Sequence, residues 1–460
     1  MIVKTMKRQL TMISLGAVLF GLIAYSSTSD AKSAGSCATL PARIRIADHK
    51  KASNSNLLTS LPAFSCDAVS EWNQHAVGLT LLPASALAPV QQTRVMAIVQ
   101  VAIHDAVNGI TGEYATYLSP GAAPENASPD AAAIAAAHRA LTNLFPSQTV
   151  SLDTLFAASL IAHGLSEDDP GVEYGRSASA AILALRANDH AAQAQFDYSA
   201  AGAGNPGVWV HVTSAPALLP GWGNVIPFVL RSGSQFRPEA PPALDSEQYA
   251  KDYNEIKLIG VQSGSTRTAE QSQIALFWRA SPTAIWNPVL RQVIASRNLD
   301  LSATARSFAL FYLASADASI ACWDAKYVYN FWRPQPAIRN GLVDGNDLTT
   351  VDPTWTPFVP TPAHPEYPSG HTTNSNAMAT ILGLLFEDNP GVPLEVTITG
   401  ITRHWETFSQ AVDEVIEARI YSGIHFRTAD EVGSRMGRQV ARFVSTHALQ
   451  PCPVGKGRCS

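Results

Sequence analysis

Cationic, imidazole and small residues concentrate in three short stretches of the last third of the chain. The stretches are Trp323-Asp324-Ala325-Lys326 with Phe331-Trp332-Arg333-Pro334, then His364-Pro365-Glu366-Tyr367-Pro368-Ser369-Gly370-His371, and finally Ala418-Arg419-Ile420-Tyr421-Ser422-Gly423-Ile424-His425. They contain Lys326, Arg333 and Arg419, three cations whose repulsion in a low dielectric would cost several kcal/mol. A bound anion offsets that repulsion, so the three stretches predict one pocket for a tetrahedral or trigonal oxyanion.

The first stretch is predicted to place two unlike cations on one helix face. Lys326 and Arg333 are two helical turns apart, and Trp323 lies one turn before Lys326. A compact ammonium beside a planar guanidinium suits an anion with several oxygens. Such a pair is commonly a solvated stripe, but the aromatic neighbours Phe331 and Trp332 favour a buried position.

The second stretch is predicted to open a helix at Ser369-Gly370-His371. Backbone N–H groups at a helix start point towards bound anions, and glycine allows an anion to approach the chain closely. Ser369 adds a hydroxyl donor, and His371 adds a group that moves protons near neutral pH. An ordinary helix cap has the same residue types.

The third stretch is predicted to end a helix at Gly423 and to free His425 from it. Arg419 lies one helical turn before that glycine. An imidazole released in this way presents one nitrogen along a bonding axis, where it can ligate a metal or attack phosphorus.

In order and internal spacing, the three stretches resemble the three-part motif of vanadium-dependent haloperoxidases and type 2 phosphatidic acid phosphatases. The resemblance implies an all-α helical bundle with a site for vanadate, in which phosphate competes for the same donors. There are two departures. Ala418 stands where the family often has serine, and the position four residues after His425 is Ala429 rather than aspartate, with Asp430 one residue later. A carboxylate that orients His425 is therefore in doubt.

The resemblance also implies a role for each matched residue. Lys326, Arg333 and Arg419 would neutralise the equatorial oxygens of the anion. The Ser369 hydroxyl and the Gly370 N–H would donate hydrogen bonds to the same oxygens. His371 would be the acid/base residue beside the apical oxygen. His425 would ligate vanadium or, in a phosphatase, become the phosphorylated nucleophile.

Three features favour a haloperoxidase. Without its first 31 residues the chain is long for a minimal phosphatase of the family, and its first stretch closely resembles the haloperoxidase version. Trp323 and His364 match positions that line the halide site in haloperoxidases, although Trp323 could equally pack in a core and His364 could be a loop histidine. His364 falls where bromoperoxidases tend to have histidine and the chloroperoxidase has phenylalanine, so the resemblance implies bromide or iodide rather than chloride.

The implied reactants are hydrogen peroxide, a halide and an organic acceptor. Lys326 would hydrogen-bond the peroxide, and halide attack would give hypohalous acid. The first alternative is an exported acid phosphatase that acts through a phosphohistidine at His425. The second alternative is a non-catalytic helical protein that binds oxyanions.

Helical spacing of apolar residues recurs along most of the chain, and no strand alternation of useful length is evident. Helices are predicted at Gln92–Ile110, Asp130–Phe145, Leu152–His163, Val172–Asn188, Glu247–Leu258, Ala269–Arg279, Ser302–Arg333, His371–Phe386, Thr407–Tyr421 and Ala429–Ala448. His104-Asp105 on the first of these is predicted to be a satisfied core pair. Residues 190–243, rich in Gly, Pro and aromatics, are predicted to cover the pocket or to wrap the surface.

The domain organisation is predicted from both ends of the chain. Residues 1–31 resemble a signal peptide, with Lys4, Lys7 and Arg8 before an apolar run, and indicate export to the periplasm or the medium; the alternative is an uncleaved anchor. Residues 32–90 are predicted to be an extended arm, 91–449 an all-helical domain, and 450–460 a tail. After signal cleavage we expect no stable membrane association, and a homo-oligomer is compatible with the sequence.

The net charge bears on the class of partner, and the cysteines bear on the redox compartment. The formal net charge is −5 without any block of like charge, so a nucleic-acid partner is not expected. Five cysteines fit an oxidising compartment. Local disulfides are predicted near both termini, from Cys37 and Cys66 and from Cys452 and Cys459, leaving Cys322 buried beside Trp323.

Overall fold

A computed structural model of the protein describes residues 67–453. Over this range the chain is dominated by α-helices, which confirms the predicted all-α class. The helices are α1 (Ala68–Thr80), α2 (Pro89–Thr111), α3 (Pro129–Leu144), α4 (Thr149–Ala162), α5 (Pro170–Arg186), α6 (Glu247–Ile259), α7 (Ala269–Phe277), α8 (Pro282–Ser296), α9 (Leu301–Tyr329), α10 (Pro334–Arg339), α11 (Gly370–Phe386), α12 (Phe408–Tyr421) and α13 (Arg427–His447). Within residues 67–453, no helix combines the length and apolar character needed to cross a lipid bilayer.

The helix α9 forms the centre of the bundle. It starts at Asp300, whose carboxylate accepts a hydrogen bond from the N–H of Ala303 at 2.7 Å. Small and aromatic residues surround its whole circumference, so it is buried on all sides over most of its length. The helices α2, α11 and α13 pack against it, and it carries Trp323 and Lys326 near its end.

Buried carboxylates fix loops against the long helices. Asp317 on α9 accepts hydrogen bonds from the N–H groups of Phe228, Val229 and Leu230 at 2.6, 2.7 and 2.9 Å. Asp105 on α2 accepts hydrogen bonds from two backbone N–H groups in the same way. The predicted core role of the His104-Asp105 pair is therefore confirmed, since both side chains are buried and hydrogen-bonded.

We expect Asp317→Asn to lower the free energy of unfolding by about 2–4 kcal/mol. An amide nitrogen in place of one carboxylate oxygen leaves at least one buried N–H of residues 228–230 without an acceptor. The measurement is urea denaturation, with Asp324→Asn on the same helix as the matched control. Asp324 pairs with the partly exposed Arg237, so its loss should cost less than about 1 kcal/mol. Equal losses in the two variants would contradict this account of Asp317.

The end of α9 differs from the prediction. The helix stops at Tyr329, and Asn330 adopts a left-handed conformation with φ of 47°. Its side-chain amide donates to the carbonyl of Tyr327 at 2.7 Å and accepts from the hydroxyl of Tyr198 at 2.7 Å. Arg333 is consequently not on α9. It has the extended conformation typical of a residue before proline, so the prediction that Lys326 and Arg333 share one helix face is wrong.

Several elements were not predicted. α1, α8 and α10 are helices, and Leu394–Ile398 (β1) pairs antiparallel with Ile401–Trp405 (β2). The two-residue turn of this hairpin, Thr399-Gly400, has positive φ at both positions, as its twist requires. Each strand has only five residues, too few for alternation to be conspicuous.

The described part of the predicted N-terminal arm is largely helical rather than extended. Residues 68–80 form α1, and its apolar residues Ala68, Val69 and Trp72 lie in the main core rather than on an extended segment. The signal peptide at 1–31 and the rest of the arm up to residue 66 lie outside the described residues. So do Cys37, Cys66 and Cys459, whereas Cys322 is buried and free and Cys452 is disulfide-bonded.

Candidate functional site

Lys326 connects the first stretch to the second. The side chain is fully buried, and its ammonium donates to the carbonyls of Pro365 and Glu366 at 2.9 and 3.0 Å. The ammonium also lies 5.8 Å from the centre of the Trp323 ring. Two of its three hydrogens thus have backbone partners, which leaves the third for a ligand.

Arg333 connects the second stretch to the third. Its Nε donates to the carbonyl of His364 at 2.9 Å, and one terminal nitrogen donates to the carbonyl of Ile424 at 2.7 Å. The same terminal nitrogen lies 3.1 Å from Nε2 of His425, and the other lies 2.9 Å from Nδ1 of His364. The guanidinium, fully buried, therefore lies between two imidazoles.

The turn after α12 aims His425 into this cluster. Gly423 has φ of +77°, and a Cβ there would lie 2.3 Å from the carbonyl oxygen of Gly260, so only glycine fits. Nδ1 of His425 lies 2.9 Å from a carboxylate oxygen of Glu366, which also accepts the N–H of Phe426 at 2.9 Å. Because Nδ1 carries the proton, Nε2 keeps its lone pair, which faces the cations and accepts a hydrogen bond from Arg333.

The start of α11 supplies the neutral donors. Ser369 caps the helix with its backbone but not with its side chain, so the first N–H groups of the helix have no helical acceptor. The Ser369 hydroxyl is buried near the Asp430 carboxyl, but within residues 67–453 no acceptor meets the geometry of a hydrogen bond to it. A Cβ on Gly370 would lie 3.2 Å from the Trp323 ring, so a side chain there would be tight.

Two carbonyls of the turn between α7 and α8 hold the remaining predicted residues. One terminal nitrogen of Arg419 donates to the carbonyl of Trp278 at 2.8 Å, while its buried Nε has no partner among residues 67–453. Nε2 of His371 lies 3.2 Å from the carbonyl of Ala280 and must donate to it, so Nδ1 is the nitrogen available for proton transfer. This turn forms a fourth side of the site, which the sequence analysis missed.

Trp323 and His364 form an aromatic pair next to Lys326. Their rings are 5.0 Å apart, and both side chains are largely buried. The indole N–H of Trp323 donates to the carbonyl of Leu218 at 3.1 Å, and the Leu218 N–H donates to the carbonyl of Ala363 at 2.7 Å. Part of the irregular 190–243 stretch therefore covers this pair. Of the two predicted roles of this stretch, the structure favours covering the pocket rather than wrapping the surface.

The structure brings all nine predicted site residues close together, through hydrogen bonds, ring contacts and charge interactions between four segments. Seven are buried, whereas Gly370 and His371 retain partial solvent access. The convergence of the three predicted stretches is therefore a property of the fold. The catalytic and ligand roles assigned to these residues remain predictions.

Comparisons with known proteins agree on one relationship. A family model described as the VCPO second helical-bundle domain matches residues 306–452. The vanadium chloroperoxidase of Curvularia inaequalis is 25% identical over 255 residues, which cover 41% of this chain and 42% of that relative. The matched part thus spans less than half of the relative's length.

Solved structures extend the match over most of the chain. The crystal structure of the first bacterial vanadium-dependent iodoperoxidase is 26% identical with a TM-score of 0.73, covering 86% of this chain and 100% of that chain. The chain belongs to the vanadium haloperoxidase and type 2 phosphatidic acid phosphatase superfamily. A holo-type bacterial vanadium-dependent chloroperoxidase shares the superfamily fold, at 18% identity and a TM-score of 0.65 over 84% of this chain and 99% of that chain.

The sequence left open whether a carboxylate orients His425, and in the structure Glu366 occupies this position. Glu366 lies in the second stretch, and its only sequence signal was an acidic residue within an otherwise apolar and neutral segment. Asp430, the residue considered first, is fully buried, but its carboxylate accepts no hydrogen bond within the described residues. Burial raises the pKa of Asp430 well above its usual range; the Ser369 hydroxyl lies close to the carboxyl, although outside good hydrogen-bond geometry, and opposes that rise.

Burial shifts the pKa values of the ionisable groups in this site. Burial is the main cause that lowers the pKa of Lys326 to about 7 and the pKa values of Arg333 and Arg419 to about 10; a neighbouring cation contributes in each case, Arg333 for Lys326, Arg419 for Arg333 and Arg279 for Arg419. Burial also raises the pKa of Glu366 to about 8, against the opposing effect of Arg333 and Lys326. A bound oxyanion would favour the charged form of Lys326 and the neutral form of Glu366.

We therefore expect the affinity for a tetrahedral anion to fall as pH rises above about 7. Below that pH Lys326 is charged and Glu366 is neutral; above it Lys326 loses its proton, and near pH 8 Glu366 gains a negative charge. Deprotonation of Lys326 and deprotonation of Glu366 each weaken anion binding. The loss of one proton lowers the affinity by up to about ten-fold per pH unit. The measurement is titration with sulfate between roughly pH 5 and pH 9, because the charge of sulfate itself does not change over this range. Lys326→Met should bind more weakly and lose the step near pH 7, whereas an affinity that rises with pH would contradict the assignment.

Proposed function

We propose that this protein is a vanadate-dependent haloperoxidase that oxidises bromide or iodide with hydrogen peroxide. The observation that carries the proposal is the setting of His425. Glu366 holds its Nδ1–H, so that Nε2 is presented as a ligand atom beside Arg333. The similarity to a vanadium chloroperoxidase and to a bacterial iodoperoxidase supports the same chemistry.

The donor set fits a vanadate ion. Unused buried donors remain on Ser369, on Nε of Arg419 and on the ammonium of Lys326, and the N–H groups at the start of α11 add to them. These are hydrogen-bond donors for oxygen, and His425 is the single nitrogen ligand. When bound, vanadate would supply Lewis-acid activation of hydrogen peroxide. Phosphate has the same shape and would compete for these donors.

The protein's own residues would divide the remaining tasks. Lys326, Arg333 and Arg419 would neutralise negative charge on the anion, and Lys326 would polarise the peroxide by a hydrogen bond. His371 is held by the Ala280 carbonyl through Nε2, so its Nδ1 would accept and return protons. Burial and the Arg419 charge lower the pKa of His371 well below its usual value, which keeps the ring neutral and able to act as a base.

The aromatic pair of Trp323 and His364 supports a halide site beside Lys326. We propose bromide or iodide as the halide, on the basis of the histidine at position 364 and the similarity to the iodoperoxidase. The signal-like residues 1–31 support export to the periplasm or medium, with an organic acceptor that receives the halogen.

A phosphatase of the same superfamily is the second candidate, because Nε2 of His425 is equally suited to attack phosphorus. The purified protein should be assayed with vanadate, hydrogen peroxide and bromide or iodide, and separately with a phosphate ester without vanadate. We expect halide oxidation that depends on vanadate. Ester turnover without halide oxidation would replace the proposal by a phosphatase, and neither activity would favour an oxyanion-binding protein without catalysis.

A further inference from the structure

The turn between α7 and α8 carries a charged residue that the proposed chemistry does not use. Its carbonyls at Trp278 and Ala280 bind Arg419 and His371, as described above. Arg279 lies between them, and its side chain is exposed. The backbone of this turn is therefore part of the site, while the guanidinium of Arg279 faces solvent.

The exposure of the site residues locates the entrance on this side. Lys326, Arg333, Arg419 and His425 are at most 2% exposed. His371 and Gly370 retain partial solvent access, and Ala280, which contacts His371, is also partly exposed. An anion coming from solvent would thus reach the cations past the α7–α8 turn.

Arg279 has a free positive charge at this entrance. It forms no ion pair with any residue of the range 67–453, whereas the acidic residues near the turn are engaged. Glu414 pairs with Arg403 and accepts the indole N–H of Trp278 at 2.9 Å, and Glu270 pairs with Arg403. Arg279 is also close enough to Arg419 for its charge to lower the pKa of that residue.

We propose that Arg279 recruits small inorganic anions to the entrance of the oxyanion site. A cation at the mouth of a pocket raises the local concentration of anions and their association rate, and it acts at a distance without contacting the bound ion. The inference rests on the proposed oxyanion site but not on the peroxidase chemistry. The anions concerned are the oxyanion and the halide.

The test is the rate of anion binding to the vanadate-free protein. Stopped-flow tryptophan fluorescence should follow inorganic phosphate and orthovanadate, because Trp278 and Trp323 lie at the site. At low ionic strength we expect Arg279→Gln to lower the association rate constant about three-fold and Arg279→Glu about ten-fold, with dissociation changed less than about two-fold. Arg279→Lys should keep the wild-type rate. At about 1 M salt the variants should converge, because charges are screened within about 3 Å.

The matched control is Arg139→Gln, which removes an equally exposed arginine from α3 and changes the net charge by the same amount. It should leave the association rate unchanged. Unchanged rates in both Arg279→Gln and Arg279→Glu, with phosphate binding intact, would overturn the role of Arg279. So would weaker binding that arises only from faster dissociation, with an unchanged association rate constant, since that indicates displacement of Arg419. Failure of the wild-type protein to bind either anion would instead reject the oxyanion site itself.

Discussion

Replacement of His425 by alanine is expected to abolish vanadate retention and to lower halide oxidation by at least about a thousand-fold. The reason is that Nε2 of His425 is the one nitrogen in the cation cluster whose lone pair is directed by a carboxylate on the opposite side of the ring. Without this atom the site keeps its cations but loses its only proposed bond to the metal. Equilibrium dialysis with vanadate and an iodide oxidation assay measure the two effects.

His371→Ala is expected to separate binding from turnover. Its imidazole is held by a backbone carbonyl, and in the proposed mechanism it would supply a proton-transfer nitrogen rather than an anion ligand. Vanadate affinity should therefore remain within a few-fold, while turnover should fall about a hundred- to ten-thousand-fold.

The control for both variants is His404→Ala. His404 is exposed on β2, where it pairs with Glu395 outside the site, so both readouts should stay unchanged. If vanadate affinity survives the loss of His425, the ligand assignment is wrong. If the His371 variant loses affinity to the same degree as the His425 variant, the separation of roles between the two histidines is wrong.

Glu366→Ala is expected to weaken oxyanion binding about ten- to a hundred-fold, because residues that orient a metal-ligating histidine have effects of this size. The substitution leaves Nδ1–H of His425 and the N–H of Phe426 without their shared acceptor. Glu366→Gln keeps an acceptor oxygen in place and should lose less affinity. It should also lose the part of the pH dependence near pH 8 that arises from the carboxyl group. The measurement is sulfate or vanadate titration of both variants across pH.

Asp430→Ala is the matched comparison for Glu366→Ala. It removes a second fully buried carboxyl from the same neighbourhood, but one that accepts no hydrogen bond in the described part of the chain. The affinity should consequently change less than in Glu366→Ala. Equal losses would mean that the summed charge of the two carboxyls matters and that orientation of His425 does not.

Residue types and local spacing were sufficient to predict most of the helices and to select the residues that the fold brings together around Lys326 and Arg333. Helical periodicity is a local property, so α2, α9 and α12 were apparent without knowledge of their neighbours. The same holds for the glycine after α12 and for the helix start at Ser369-Gly370, because both depend on backbone conformation within one turn.

What the sequence pattern missed depends on contacts between distant segments. Arg333 leaves the axis of α9 because Asn330 is held by Tyr198, more than a hundred residues earlier. Glu366 orients His425 from across the site, and the carbonyls of Trp278 and Ala280 hold Arg419 and His371. A backbone carbonyl is present at every residue, so nothing in the side-chain pattern marks the ones that line a site. The residue types therefore determine which chemical groups the site contains. The orientation of each side chain and carbonyl in the site depends on packing between distant segments.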